Sequence, residues 1–224
     1  MTATTQKPVG SGRKACETLH AVAAGLWLGA LVMSGATAGI LFTTMRTLGP
    51  SFDLFAAYGG DQSNLGAGFL QNRVFLALDA IQFGSATLVL ATTIAGIAFF
   101  RLPLRRVSSA VRLVALGIAM TLLSFHLFVL TPKMQTNAQT YWAAAELGET
   151  ARAETAYAAF DADHPTARRV LMGTMLSVLV LMASGVWGAV SAGEAGGSEA
   201  TAVLRKKTGT RREEPALNKR GGTR

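Results

Sequence analysis

Few side chains in this sequence could exchange a proton or hold a ligand from inside an apolar environment. Asp79 and Gln82 lie three residues apart in one apolar run, a spacing that puts both on one helical face; His126 lies near the end of the next run. His20 opens the first run and His164 shortly precedes the last, followed by Arg168 and Arg169. Ionisable groups at membrane depth are costly and gather at functional or packing centres, so each is a candidate with a partner to be named.

Depth decides which of them can meet. Asp79 lies about 9 Å into the second run and His126 about 7.5 Å from the same end of the third, by the helical rise of about 1.5 Å per residue. These depths match, and Arg168, Arg169 and His164 begin the fourth run on the same side. The expectation is a polar cluster of Asp79, Gln82, His126, Arg168 and Arg169 in the outer half of the bundle. In it Asp79 pairs with His126 or with an arginine. Two roles fit such a cluster: an ion pair that fixes helix register, and a ligand, proton or metal site built on Asp79, His126 and His164. His20 lies at the opposite end and reads as a snorkelling interfacial side chain or, alternatively, a cofactor ligand.

Other chemistries are poorly served. Cys16 is the only cysteine, which rules out an intrachain disulfide and a cysteine-based metal site. Of the eight methionines, Met33, Met45, Met120, Met134, Met172, Met175 and Met182 scatter over three runs and two loops, as gap-fillers in an apolar bundle would. No nucleotide-binding glycine loop, zinc-ligand spacing or nucleophile motif is present.

The elements that must position these groups are four apolar runs, at about 19–42, 74–100, 113–131 and 170–192. Each is long enough, at roughly 20 residues, to cross a hydrocarbon layer about 30 Å thick. Half of the 224 residues are hydrophobic and 15% are charged, and the charges fall between the runs and at the chain ends. The first run is too long for a signal-peptide core and stays apolar past the Ala36-Thr37-Ala38 cleavage-like pattern, so it is read as a retained span. Pro132 marks the expected end of the third helix. Beyond it, 137–160 reads as a helical outward extension and a short return, and 51–58 as an amphipathic segment at the interface.

Lysine and arginine alternate between the connections. Lys7, Arg13 and Lys14 precede the first run; Arg101, Arg105, Arg106 and Arg112 lie between the second and third; and eight basic residues against four acidic ones follow Ala192. The two remaining connections are poor in basic residues. The positive-inside rule then puts both termini in the cytoplasm. Half of the net charge of +8 resides in the last segment, so the basic balance speaks for anionic lipid and not for nucleic acid. The expected fold is an all-α, four-helix transmembrane bundle with a cytoplasmic N-terminal arm (1–18), a membrane domain (19–192) and a disordered basic tail (193–224). Gly25 with Gly29, Gly35 with Gly39, Gly173 with Ser177, and Ser184 with Gly188 are the small-residue pairs expected to let helices approach closely.

The stretch from His20 through Trp27-Leu28-Gly29, followed by Ala38-Gly39-Ile40-Leu41-Phe42, resembles the opening of the transmembrane protein 205-like domain family of four-span membrane proteins. Phe75 with Asp79-Ala80-Ile81-Gln82 is similar to that family's second span, Pro132-Lys133-Met134 to the end of its third, and Phe160-Asp161-Ala162-Asp163-His164 to the element before its fourth. The resemblance covers roughly residues 15–192. It implies an integral membrane protein of the cell (inner) membrane, and more distantly a likeness to copper-resistance D-type proteins and a haem-associated membrane oxidase family. The leading expectation is a non-enzymatic bundle whose polar cluster supports packing and takes a small ligand or ion, with room for a homo-oligomer or a membrane-protein partner. The alternatives are a haem-binding redox protein with His20 as axial ligand and a copper- or metal-handling protein using His126.

Overall fold

The computed structural model describes residues 10–100 and 107–210, with side-chain surroundings up to Gly188. All regular structure among them is helical. Helix α1 spans Ser11–Leu48, α2 Gln62–Ala98, α3 Val107–Phe125, α4 Thr131–Glu146 and α5 Thr150–Thr210. A single-turn 3-10 helix, Asp53–Phe55, lies between α1 and α2. A π-helical turn, His126–Leu130, joins α3 to α4, so the two form one continuous rod. Four helices are long and apolar enough to cross a membrane: Ser11–Leu48, Gln62–Ala98, Val107–Glu146 and Thr150–Gly188.

Local chemistry sets the helix ends. Gly49 closes α1 in the left-handed conformation at φ 57°, its N–H donating to the Met45 carbonyl, an arrangement glycine adopts without steric penalty. Asp61 opens α2, its carboxylate accepting from the Ser63 N–H at 2.9 Å. Gly148, at φ 71°, makes the tight turn between α4 and α5, and its backbone passes so close to Ala57 that a β-carbon there would lie 3.0 Å from the Ala57 carbonyl oxygen.

Several boundaries differ from those read in the sequence. Arg13 and Lys14 belong to the first turns of α1, not to a separate arm. Pro132 does not stop the third helix. In the π turn the Thr131 N–H reaches back five residues to the His126 carbonyl, and this widening accommodates a proline that lacks an N–H and would crowd a regular turn. Helix α5 runs on to Thr210, so 193–210, read as disordered, is helical; Lys7, Arg101, Pro103, Arg105, Arg106 and the tail from 211 lie outside the described residues.

Antiparallel α1 and α2 form one hairpin, the α3–α4 rod packs on α5, and α1 lies against α5. Their shared core holds Ala23, Ala24, Trp27 and Leu31 of α1, Ala86 and Val89 of α2, Leu116, Ala119 and Leu123 of α3, and Val178 and Leu181 of α5. Outside it, large apolar side chains such as Leu26, Ile40, Phe83, Ile94, Ile118, Phe128 and Leu176 are exposed, a surface suited to hydrocarbon and not to water. Helices of this length, about 55–60 Å by the helical rise, exceed a bilayer core. At the end away from Ser11 the excess forms an aromatic cap in which Phe55, Tyr58, Leu65, Tyr141, Ala144, Ala145 and Ala153 are buried together. The segment 51–58 is part of this cap, with Phe55 and Tyr58 buried, and not a free interfacial helix.

The small-residue surfaces divide. A β-carbon at Gly173 would meet Leu122 at 3.0 Å and one at Gly188 would meet Ser108 at 3.2 Å, so α5 does use its glycines for close approach to α3. At Gly25, Gly29, Gly35 and Gly39 an added β-carbon meets nothing within 4 Å, so these α1 glycines do not serve packing among the described residues. Gly173→Leu should therefore lower thermal stability in detergent by about 1–3 kcal/mol, the usual cost of overpacking. Gly29→Ala should leave the melting temperature unchanged or slightly raised, because a helix gains from alanine; equal losses in both variants would contradict this division.

Candidate functional site

Asp79 and Gln82 project from the same face of α2, and His126 from the first residue of the π turn. The Gln82 side-chain amide donates to Asp79 Oδ1 at 3.1 Å, and His126 Nε2 lies 3.2 Å from the same oxygen. Gln82 is buried, and the Asp79 and His126 side chains retain only 14% and 18% of their exposure. As a carboxylate Asp79 only accepts hydrogen bonds, which makes His126 Nε2 the donor and assigns the tautomer. In the neutral ring, Nδ1 then carries a lone pair, and it is buried without a hydrogen-bond partner. The site thus offers an acceptor on a ring already oriented by a carboxylate, the arrangement that suits an imidazole to take a proton, a protic group or an ion.

The other members expected of this cluster lie elsewhere. Val170, Thr174, Val178 and Leu181 mark the buried face of α5. Arg168, Arg169 and Met172 fall off that face by helical periodicity, and with His164 and Pro165 they line a shallow surface depression. His164 packs edge-on to Phe160, ring centroids 4.8 Å apart. Among the described residues no three His, Cys, Asp or Glu side chains gather closely enough to hold a metal ion, so Asp79, His126 and His164 do not form one ligand set. The nearby acidic residue Asp163 pairs instead with Lys133 of α4 at 2.7 Å.

His20 is not a snorkelling side chain. It is only 5% exposed, held between α1 and α2, with Nδ1 2.9 Å from Thr92 Oγ1. The Thr92 hydroxyl hydrogen is committed to the Leu88 carbonyl at 2.8 Å, so Thr92 Oγ1 accepts and His20 Nδ1 donates. Cys16, one turn earlier, directs its thiol to the Thr92 carbonyl at 3.5 Å. Beside His20 is a cavity of about 20 Å³, lined also by Arg13, Cys16, Glu17, Thr93, Phe100 and Arg112. That is room for one water-sized particle. It does not fit a haem at His20, and a guanidinium in the lining opposes a copper ion.

Sequence reasoning overlooked the π turn, although a proline continuing a helical pattern calls for a local widening of this kind. It also overlooked Thr92, Thr93 and Arg112 around His20; the Cys16-to-His20 spacing of one helical turn was the available signal.

The class defined by this architecture is a four-helix, multi-pass membrane protein. No family model, curated protein or solved structure matches the chain.

Replacing one partner of the Asp79–His126 contact strands the other. Asp79→Leu and His126→Leu should each cost about 1–3 kcal/mol in detergent unfolding. The double variant should cost less than the sum, with a coupling within the roughly 0.6–1.7 kcal/mol known for interhelical hydrogen bonds in membranes. Strict additivity would show that the two do not interact.

Proposed function

We propose that this chain is a non-enzymatic integral protein of the cell (inner) membrane whose Asp79–Gln82–His126 centre binds a small ion or protic ligand at His126 Nδ1 while fixing α2 against the α3–α4 rod. The observation that carries the reading is the buried, unpartnered Nδ1 of a histidine oriented by a carboxylate at a π turn, an irregularity often found at functional positions. The resemblance to the transmembrane protein 205-like domain family supports the four-span layout. Both termini are assigned to the cytoplasm by the alternation of lysine and arginine among the connections. On this reading the basic tail adds attraction to anionic lipid, and the exposed glycines of α1 leave a smooth face for a homo-oligomer or a membrane-protein partner.

Selective ¹⁵N-histidine labelling tests the binding centre. The His126 ring should show a protonated Nε2 and a bare Nδ1, and protons, sodium or zinc added singly should move the Nδ1 resonance when one of them is the ligand. A resonance indifferent to all three, or the opposite tautomer, would remove the basis of the proposal. Topology is tested by single cysteines in a Cys16→Ser background. Ala57→Cys and Glu149→Cys should react with an impermeant maleimide in intact cells, and Lys207→Cys only after permeabilisation; the reverse labelling would invert the assignment.

A further inference from the structure

We infer that the cavity between His20 and Arg112 is a binding site for a single halide ion, taken up together with a proton on His20. It is separate from the Asp79–Gln82–His126 centre, lying at the end of the bundle where α1 begins, and three independent features point to it.

The first is size. The space of about 20 Å³ suits a single particle of about the size of a water molecule better than a polyatomic anion. The second is the set of unmet hydrogen bonds. His20 Nε2 and Arg112 Nε are both buried without a partner among the described residues, and both side chains line the cavity. A buried guanidinium N–H left unpaired is costly, so an acceptor is called for. The third is charge. Among the described residues the lining carries two guanidinium groups, Arg13 and Arg112, against one carboxylate, Glu17, which pairs with Arg13 at 2.8 Å.

The histidine adds a condition. Its Nδ1 donates to Thr92, so in the neutral ring Nε2 presents a lone pair, which repels an anion and would accept from a water molecule. With a proton added, Nε2–H and Arg112 Nε–H become two donors facing one small space, the arrangement that recognises a halide. The balance is simple: one proton and one halide enter together, no covalent bond forms, and the net charge of the site is unchanged. Among the described residues, the titratable and charged groups facing His20 are Arg13, Cys16 and Glu17 from α1 and Arg112 from α3, while α2 supplies the Thr92 and Thr93 hydroxyls.

The test uses the full-length protein in detergent micelles and chloride itself as the probe, read by ³⁵Cl NMR line broadening. Protein-dependent broadening should be present near pH 4, be displaced by bromide but not by sulfate or gluconate, and weaken by up to about tenfold per pH unit above it as His20 loses its proton. Arg112→Gln should abolish it. His20→Gln, which keeps an N–H donor that does not titrate, should retain chloride binding and lose its pH dependence. Absence of broadening in the wild type, equal displacement by sulfate, or broadening that survives Arg112→Gln would each overturn the proposal. Should a variant fail to fold, the anion-selectivity and pH series on the wild type decide the matter alone.

Discussion

Inside hydrocarbon no water is available to satisfy a polar group, so each donor and acceptor must find its partner within the protein, and this constraint shapes nearly every polar contact in the bundle. Hydroxyls turn back on their own helices: Ser34 on the Ala30 carbonyl, Thr87 on Phe83, Thr174 on Val170 and Ser177 on Gly173. Side chains with more than one polar atom reach across helices, as Gln71 does to Thr37, His20 to Thr92, and His126 to Asp79. Against so complete an accounting, the few buried atoms with no partner stand out. Two of them, His20 Nε2 and His126 Nδ1, belong to imidazoles whose other nitrogen is already engaged. The same constraint thus explains both the assembly of the bundle and the places where a ligand has something to offer.

The two histidine centres differ in what surrounds them. His126 is paired with an anion, so its free nitrogen is suited to a proton, a donor group or a cation. His20 is paired with a neutral hydroxyl and lies in a lining that carries the Arg112 guanidinium, so its surroundings favour negative charge. Opposite electrostatic signs at the two ends of one bundle follow from two residue choices, Asp79 on α2 and Arg112 on α3.

The four apolar runs were legible because hydrocarbon demands long uninterrupted stretches and tolerates few charges within them. A count of helical rise put Asp79 and His126 at one level, and these two side chains lie in contact. The same count placed Arg168 and Arg169 at that level too, but depth says nothing about azimuth, and the buried stripe of Val170, Thr174 and Val178 turns both arginines outward. Glycine spacing was equally ambiguous, since the pattern is alike on α1 and α5, while side chains of α3 press on Gly173 and Gly188 of α5 and none presses on the paired glycines of α1. The surroundings of His20 depend on Thr92 and Arg112, which are distant in sequence and chemically ordinary. Only the three-dimensional meeting of α1, α2 and α3 gives them meaning.

The continuous rod made by α3, the π turn and α4 has a mechanical implication. One end carries Leu116, Ala119 and Leu123 in the membrane core, and the other carries Tyr141, Ala144 and Ala145 in the aromatic cap. Each residue of an α-helix turns the chain by about 100°, so tightening or slackening the wide turn at His126–Leu130 would swing the distal arm about its own axis. On the proposed reading, an occupant of the His126 imidazole would sit at the start of that turn and so act on the orientation of the far arm.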